Sequence, residues 1–369
     1  MLGHFSMRIG VLLSAAGTFL APRAIAQDID PKLKPSWEFM QSAMPGVPYE
    51  TLKAACAEGR VMIYHGSWTD AQNAQIDGFR KRFPCIRVQK FGTTMGEMRE
   101  RYLSEARAGR QVADIVQDSD PGTLDTNSEK GLFTSYTISN DAAYAPTTKK
   151  GGFWYPLRIA INGIAWNTDI VSDEEAKFLT SWEGLTDPRW KGRGVIVDPS
   201  GGGVVYLPFY AWEKMYGPDF LEKIGAQRPR VVSGINTAAA ALASGDVAII
   251  FNASETGLLP IWRKGAPIRW SIPSPAVGPI TGQAIAGKPP HQNAARLYQE
   301  YAFTTEGYTA WYMLGGMPVR SGLKDQRKVA SEPWYMYPNE VWAYDTRDSE
   351  QSARGIIEKF GRLIGGGKK

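Results

Sequence analysis

The chain has 369 residues but only 2 cysteines and 3 histidines. So little histidine leaves few side chains for acid–base chemistry near neutral pH or for nitrogen-rich metal centres. No H-E-x-x-H, G-x-S-x-G or C-x-x-C occurs, and no G-x-G-x-x-G stands between a strand and a helix. These absences point to a protein that does no chemistry on its partner. Clustered basic runs are also missing. The 42 Lys and Arg against 37 Asp and Glu are dispersed, which excludes a nucleic-acid binder. No segment approaches the roughly 18–20 consecutive apolar residues of a membrane-spanning helix, and there is no internal repeat or low-complexity block.

The front of the chain does carry a signal. Arg8 precedes an apolar run from Ile9 to Ala21, and Ala24-Ile25-Ala26 supplies small residues at alternate positions. This is the pattern of an export signal, with cleavage expected after Ala26 and the remaining chain placed in a periplasm. No cysteine lies near that point, which argues against a lipid anchor. Loss of Arg8 and Arg23 leaves a formal charge of about +3. In an oxidising compartment Cys56 and Cys85 are expected to form one disulfide, the alternative being two separately buried thiols.

Periodicity and turn signals give an alternating order. Residues 27–50 are proline-rich and read as irregular. Helices are expected over 49–58, 71–82 and 96–108, with strands at 61–64, 86–91 and 113–116. Strand-helix-strand-helix-strand implies an open parallel α/β sheet with right-handed crossovers. Phe153 to Asn167 reads as one long extended strand able to pass from one domain to another. A second α/β unit begins at Val195–Val197. Helices follow over 204–216, 219–226, 236–244, 294–303, 306–313 and 350–363, and strands over 247–251, 268–272 and 282–286. Asn236 or Thr237 is the expected cap of the third of those helices. The length calls for two domains, and 12 Trp with 16 Tyr suit both large cores and a cleft that grips an organic solute.

The segment Ser181-Trp-Glu-Gly-Leu-Thr-Asp-Pro-Arg-Trp-Lys-Gly-Arg-Gly-Val-Ile-Val-Asp-Pro-Ser200 reads locally as a short helix capped by Ser181, a turn at Asp187-Pro188 and a buried strand. It also resembles a block found in bacterial extracytoplasmic solute-binding proteins, the receptors of ABC importers. Further matching blocks are Glu58–Tyr64, Ala106–Gly109 with Ala113–Ile115, Asn162–Thr168, Leu242–Ile249, Pro290–Arg296, Thr305–Gly307 and Met317–Arg320. Their shared order is similar to the branch that holds ferric-ion, sugar-phosphate, phosphonate, thiamine and polyamine receptors. The resemblance implies a two-lobed type II periplasmic-binding-protein fold with the ligand cleft between two open, mostly parallel sheets. It places 27–155 with 275–322 in lobe 1 and 160–270 with 323–369 in lobe 2, with crossing strands near 153–168 and 268–286. It implies no cofactor and no catalytic residues, a small-molecule solute, a transient ABC permease partner and a monomer.

In such sheets ligands meet the carboxyl ends of strands. Ser67, Trp68 and Thr69 follow the first strand, as hydroxyl donors and a stacking ring or as helix caps and core. Thr93 and Thr94 follow the second, and Asp118 and Asp120 the third, each as solute ligand or cap. Ser200-Gly201-Gly202-Gly203 is the strongest candidate, since three glycines admit a ligand to the backbone at a helix N-terminus that favours negative charge. Tyr206 lies one turn further on. Asn252, Ser254 and Glu255 end a later strand where ferric-ion relatives carry adjacent tyrosines, a departure that argues against iron, so no metal site is expected. Asn252-Ala-Ser254 also matches a glycosylation sequon by chance. Arg158, in the crossing strand with Trp154, needs a partner, either a solute anion or a carboxylate such as Glu255. A small organic anion is the expected solute, a cationic amine the rival, and ferric ion comes third.

Overall fold

A computed structural model describes residues 28–365, apart from 67–68, 93, 147–148, 314–315, 337, 339 and 343. The expected export signal, the C-terminal tail and the candidates Ser67, Trp68 and Thr93 therefore lie outside the described residues, as does the side chain of Thr69.

The first part of the chain runs α1 (Lys34–Ala43), α2 (Tyr49–Glu58), β1 (Arg60–His65), α3 (Thr69–Arg82), β2 (Arg87–Gly92), α4 (Met95–Arg107), β3 (Ile115–Asp118), α5 (Pro121–Glu129) and β4 (Trp154–Ile159). The next part is β5 (Asn162–Asn167), α6 (Asp173–Ala176), β6 (Gly194–Val197), α7 (Gly203–Tyr216), α8 (Asp219–Ala226), β7 (Arg230–Val232), α9 (Ile235–Ala243), β8 (Ile249–Ser254), α10 (Glu255–Trp262) and β9 (Ile268–Ser271). The chain then returns through β10 (Ile280–Ile285), α11 (Gln292–Ala302) and α12 (Thr305–Tyr312), and ends on α13 (Thr346–Gly365).

Two five-stranded sheets result, in the orders β2-β1-β3-β10-β4 and β7-β6-β8-β5-β9. In each, the three strands joined by helical crossovers are parallel. The strands next to the crossings, β10 with β4 and β5 with β9, are antiparallel. This is the two-lobed type II periplasmic-binding fold. The stretch read as one strand over 153–167 is two strands, one in each sheet, parted at Ala160–Ile161. There the two crossings zip together, because Ala160 N–H donates to the Pro279 carbonyl (3.0 Å) and Asn162 N–H to that of Val277 (2.8 Å). Gly278 sits on this seam, and any Cβ there would run into the Ala160 carbonyl.

Local chemistry explains most helix starts. Asp120 accepts from the Gly122 N–H at 3.0 Å, with Pro121 opening α5. Thr94 caps α4, and Ser172 with Glu175 forms a reciprocal box at α6. Some expectations need correction. The segment 27–50 contains α1, whose Pro35 falls in the first turn, where a missing N–H does no harm. Ser181 caps nothing; it ends a short 3-10 turn, and buried Trp182 starts the next one. α9 starts at Ile235 behind Gly234, ahead of Asn236 and Thr237. His291, just before α11, is partly buried: its Nδ1 lies 2.8 Å from Asp114, and its Nε2 accepts from Arg60 at 2.7 Å. Asn252, in the sequon match, is fully buried.

The first sheet is covered on one face by a core of α2, α3, α11 and α12 residues, among them Phe79, Phe83, Tyr298, Tyr301 and Trp311. The second carries Trp182, Trp190, Phe209 and Trp212 on one face and Leu242, Leu259 and Trp270 on the other. Cys56 and Cys85 are bonded, with Cα atoms 5.2 Å apart, tying the end of α2 to the entry of β2. The link closes a loop of 29 residues. Its reduction is expected to lower stability by about 3–4 kcal/mol in the chain-entropy model, read as a fall in the urea midpoint with and without reductant.

Candidate solute-binding cleft

The turn after β3 and the turn after β6, one from each sheet, come together at one place. A cavity of 430 Å³ opens there. Lobe 1 contributes Met95 and Arg99 from α4 and Ser119 and Asp120 from the turn after β3. Gly201, Gly202, Gly203, Tyr206 and Leu207 face them from the other sheet. Pro279 forms the floor, and Tyr344, Thr346, Ser349, Glu350 and Ala353 close the mouth.

The start of α7 gives the cavity its positive end. Gly202 and Gly203 hold φ of +68° and +50°, a region closed to most side chains, and a Cβ on either would point into open space. The helix starts with no capping side chain. The N–H groups of Gly201, Gly202 and Val205 donate to the carbonyls of Asp198, Pro199 and Gly202, and the helix dipole adds partial positive charge at this end. The turn before it is built by Asp198, which accepts from the Ser200 N–H at 2.8 Å. Asn252 anchors it from β8, bonding both polar groups of Val197 and reaching the Val205 carbonyl.

Arg99 faces this end from lobe 1. Its Nε and Nη2 donate to Asp118 at 2.7 and 2.6 Å. The arginine side chain keeps 32% exposure while Asp118 keeps 2%, so the ion pair is anchored in protein on one side and open to the cavity on the other. Burial pushes the Asp118 carboxyl up, against the pull of Arg99. Asp120, 3.6 Å from Arg99, is spent mainly on capping α5 and on Thr123. Glu350 approaches it from α13. The hydrogen bond to Asp120, then burial, lifts the Glu350 carboxyl to about 7.

The cleft thus gathers Asp120, Gly201, Gly202, Gly203 and Tyr206 from the expected set, with Asp118 behind Arg99. Tyr206 donates to the Ser349 carbonyl at 2.8 Å and so holds α13 against α7. Thr94 caps α4 at the rim, and Ser200 lies just before the glycines. The others sit elsewhere. Trp154 donates to Asp125 and lines a separate cavity of 620 Å³ beneath residues 341–347. Ser254 bonds Thr256. Arg158 lies at the crossing, 8% exposed and over the Trp311 ring; burial pulls its guanidinium down to about 10, against the attraction of Glu255. Glu255 is buried under Arg327 and Tyr335, at 2.6 Å from each. Sequence reading missed Arg99, Tyr344 and Glu350. Arg99 is one of several charges on a polar helix, and the other two belong to a C-terminal segment that matches no motif.

Residues 110–272 match the family model described as bacterial extracellular solute-binding protein. That stretch of the chain, from β3 to β9, is similar to the bacterial extracellular solute-binding proteins. An uncharacterized protein of Haemophilus influenzae is 23% identical over 334 residues, covering 83% of this chain and 91% of that one. The solved structures of this shape include iron-bound HitA from Pseudomonas aeruginosa, with a TM-score of 0.67 and 18% identity over 82% of this chain and 99% of that one. They also include AfuA from Actinobacillus pleuropneumoniae with exogenous fructose-6-phosphate bound, at 0.59 and 20% over 83% and 99%. FutA from Trichodesmium, in complex with iron and citrate, scores 0.67 at 19% identity over 83% and 99%. At these identities the structures show a shared fold.

Proposed function

We propose that this protein is the exported receptor of an ABC-type importer and closes its lobes on a small organic anion, such as a phosphonate, a sugar phosphate or a carboxylate. The observation that carries the reading is the uncapped start of α7, where Gly201–Gly203 open onto the inter-lobe cavity opposite Arg99. Backbone N–H groups at a helix start and a guanidinium edge are the two groups best matched to a phosphoryl or carboxyl oxygen. The sugar-phosphate complex of AfuA shows that the fold accommodates such a solute. The leader pattern ending at Ala26 supports a periplasmic receptor, which would act as a monomer and meet its permease transiently. Solute shifts the open–closed balance by preferring the closed form.

A cationic amine is the second reading, supported by Asp120 and Glu350 on the same cavity. Ferric ion has less support. The hydroxyls of Tyr206 and Tyr210 are engaged by Ser349 and Asp348. Among the described residues, no three His, Cys, Asp or Glu side chains stand close enough to share a metal.

A thermal-shift panel on protein freed of bound solute tests these readings. It comprises 2-aminoethylphosphonate, fructose-6-phosphate, citrate, spermidine and ferric citrate. A ligand at a thousand times its dissociation constant stabilises by about 4 kcal/mol, a shift of several degrees. A shift with one of the anions is expected; a shift confined to spermidine or to ferric citrate would reverse the ligand assignment.

A further inference from the structure

The block Met317–Arg320 takes no part in the cleft. Met317 bridges to Ile159 at the lobe crossing, and Arg320 bridges to Tyr144 within lobe 1. The Arg320 side chain, partly buried, reaches the start of α12. Its Nη1 donates to Thr305 Oγ1 at 3.3 Å and its Nη2 to Asn140 Oδ1 at 3.4 Å. Both bonds exceed the roughly 2.9–3.0 Å usual for N–H···O, and both acceptors are neutral. Among the described residues no carboxylate pairs with Arg320. A partly buried guanidinium in that state lacks the counter-charge that such groups ordinarily find.

A cavity of 530 Å³ opens beside it, with Ser42, Asn140, Thr304, Thr305, Thr309 and Arg320 on its walls. Glu306 is the one carboxylate among the lining residues, and Arg82 clasps it with Nε and Nη2 at 2.7–3.1 Å. The cavity therefore keeps one uncompensated positive charge. Two buried atoms of its lining residues, Arg320 Nε and Thr309 Oγ1, have no hydrogen-bond partner. Native polar atoms rarely stay so without a bound group or water. The cap Thr304 accepts from the Gly307 N–H at 3.1 Å, while the Thr305 and Glu306 N–H groups ahead of it have no acceptor among the described residues. This cavity shares no lining residue with the cleft. It also lies at the other end of α12 from the second lobe: Met313 accepts from Arg263 of that lobe at 2.8 Å, and the helix spans about 12 Å.

We propose that this cavity is a second anion site, suited to a phosphate group, free or carried as a monoester. The donors at hand are a guanidinium edge, two N–H groups at a helix start and threonine hydroxyls. A phosphate offers such a mixed set more acceptor oxygens than a planar carboxylate does. It draws Arg320 off its two long, neutral bonds into charge-assisted ones and supplies the acceptor that Nε lacks. The site is independent of the solute held in the cleft.

The test titrates inorganic phosphate into the exported form, freed of solute and labelled with nitrogen-15 in its arginines, with potassium chloride holding the ionic strength constant. The signal read is the Nε–Hε resonance of Arg320, identified by its loss in Arg320→Lys. It is expected to move along a saturating curve in the parent and along the same curve in Gly203→Asp, whose cleft entrance carries an added negative charge. Urea unfolding gives a second readout. Phosphate should raise the midpoint of Gly203→Asp and leave that of Gly203→Asp with Arg320→Met unchanged. If the double variant fails to fold, the resonance of the parent decides alone. An Arg320 signal that moves no further with phosphate than with chloride would overturn the site. So would a curve that disappears in Gly203→Asp, because the response would then come from the cleft. Failure of the cleft to bind any anion leaves the Arg320 curve intact, so the two readings fail separately.

Discussion

Replacing Arg327 by methionine is expected to destabilise the fold by about 3–5 kcal/mol at neutral pH. Arg327 is fully buried. Its Nη1 reaches Glu255 at 2.6 Å, its Nη2 reaches Tyr335 at 2.8 Å, and its Nε and Nη2 clasp Asp325. Tyr335 in turn donates to Glu255 at 2.6 Å, so each member of the cluster is held by another. Burial works against the guanidinium charge, but Glu255, Asp325 and Tyr335 outweigh it and hold the group above its ordinary value. Methionine restores much of the volume and removes the cation that Glu255 and Asp325 share, while both carboxylates stay buried. The double variant Arg327→Met with Glu255→Gln should recover part of the loss, because the penalty comes mainly from the stranded charge. Urea unfolding of the single and double variants measures both numbers. A single-variant loss under about 1 kcal/mol would mean that water reaches the cluster.

That cluster also shows where sequence reading stops. The strand-helix alternation, the two sheets and the crossing at 153–168 follow from short-range patterns, because each lobe repeats one local unit whose apolar faces must be covered. The glycine run at 201–203 is legible for the same reason: glycines at a strand-to-helix turn have a backbone meaning independent of distant contacts. Arg158 and Glu255 stand out as charges in apolar segments, but their surroundings depend on Arg327, 72 residues from Glu255 in sequence. No local spacing reports that distance. Arg99 is hidden in a similar way. It sits on a helix rich in charges, and only the buried position of Asp118 singles it out. The end of the chain was least legible, since Tyr344 and Glu350 acquire a role only when α13 docks on α7 and reaches back over the cleft mouth. Prolines had uneven effects: Pro35 masks α1 and an exposed Pro260 lies inside α10, whereas the helix expected over 204–216 forms with Pro208 buried within it.

Gly203→Asp is expected to abolish capture of an organic anion at only a small cost in stability. Position 203 has φ of +50°, which aspartate tolerates better than most residues, and a Cβ there meets no atom within 4 Å. The left-handed φ costs an L-residue about 1–2 kcal/mol, a carboxylate in the first turn of α7 regains about 0.3–1 kcal/mol from the helix dipole, and the melting temperature should fall only slightly. The same carboxylate occupies the space that the solute anion needs. Two like charges about 4 Å apart repel by roughly 4 kcal/mol at the effective dielectric of such a site. That repulsion predicts a loss of at least a hundredfold in affinity for whichever anion the thermal panel identifies, measured by isothermal titration calorimetry. Gly203→Asn supplies the control, since it has nearly the same shape and no charge and should retain most of the affinity. Parent-like affinity in the aspartate variant would move the anion away from α7. A gain in affinity for spermidine would instead show that the acidic wall of Asp120 and Glu350 selects the solute.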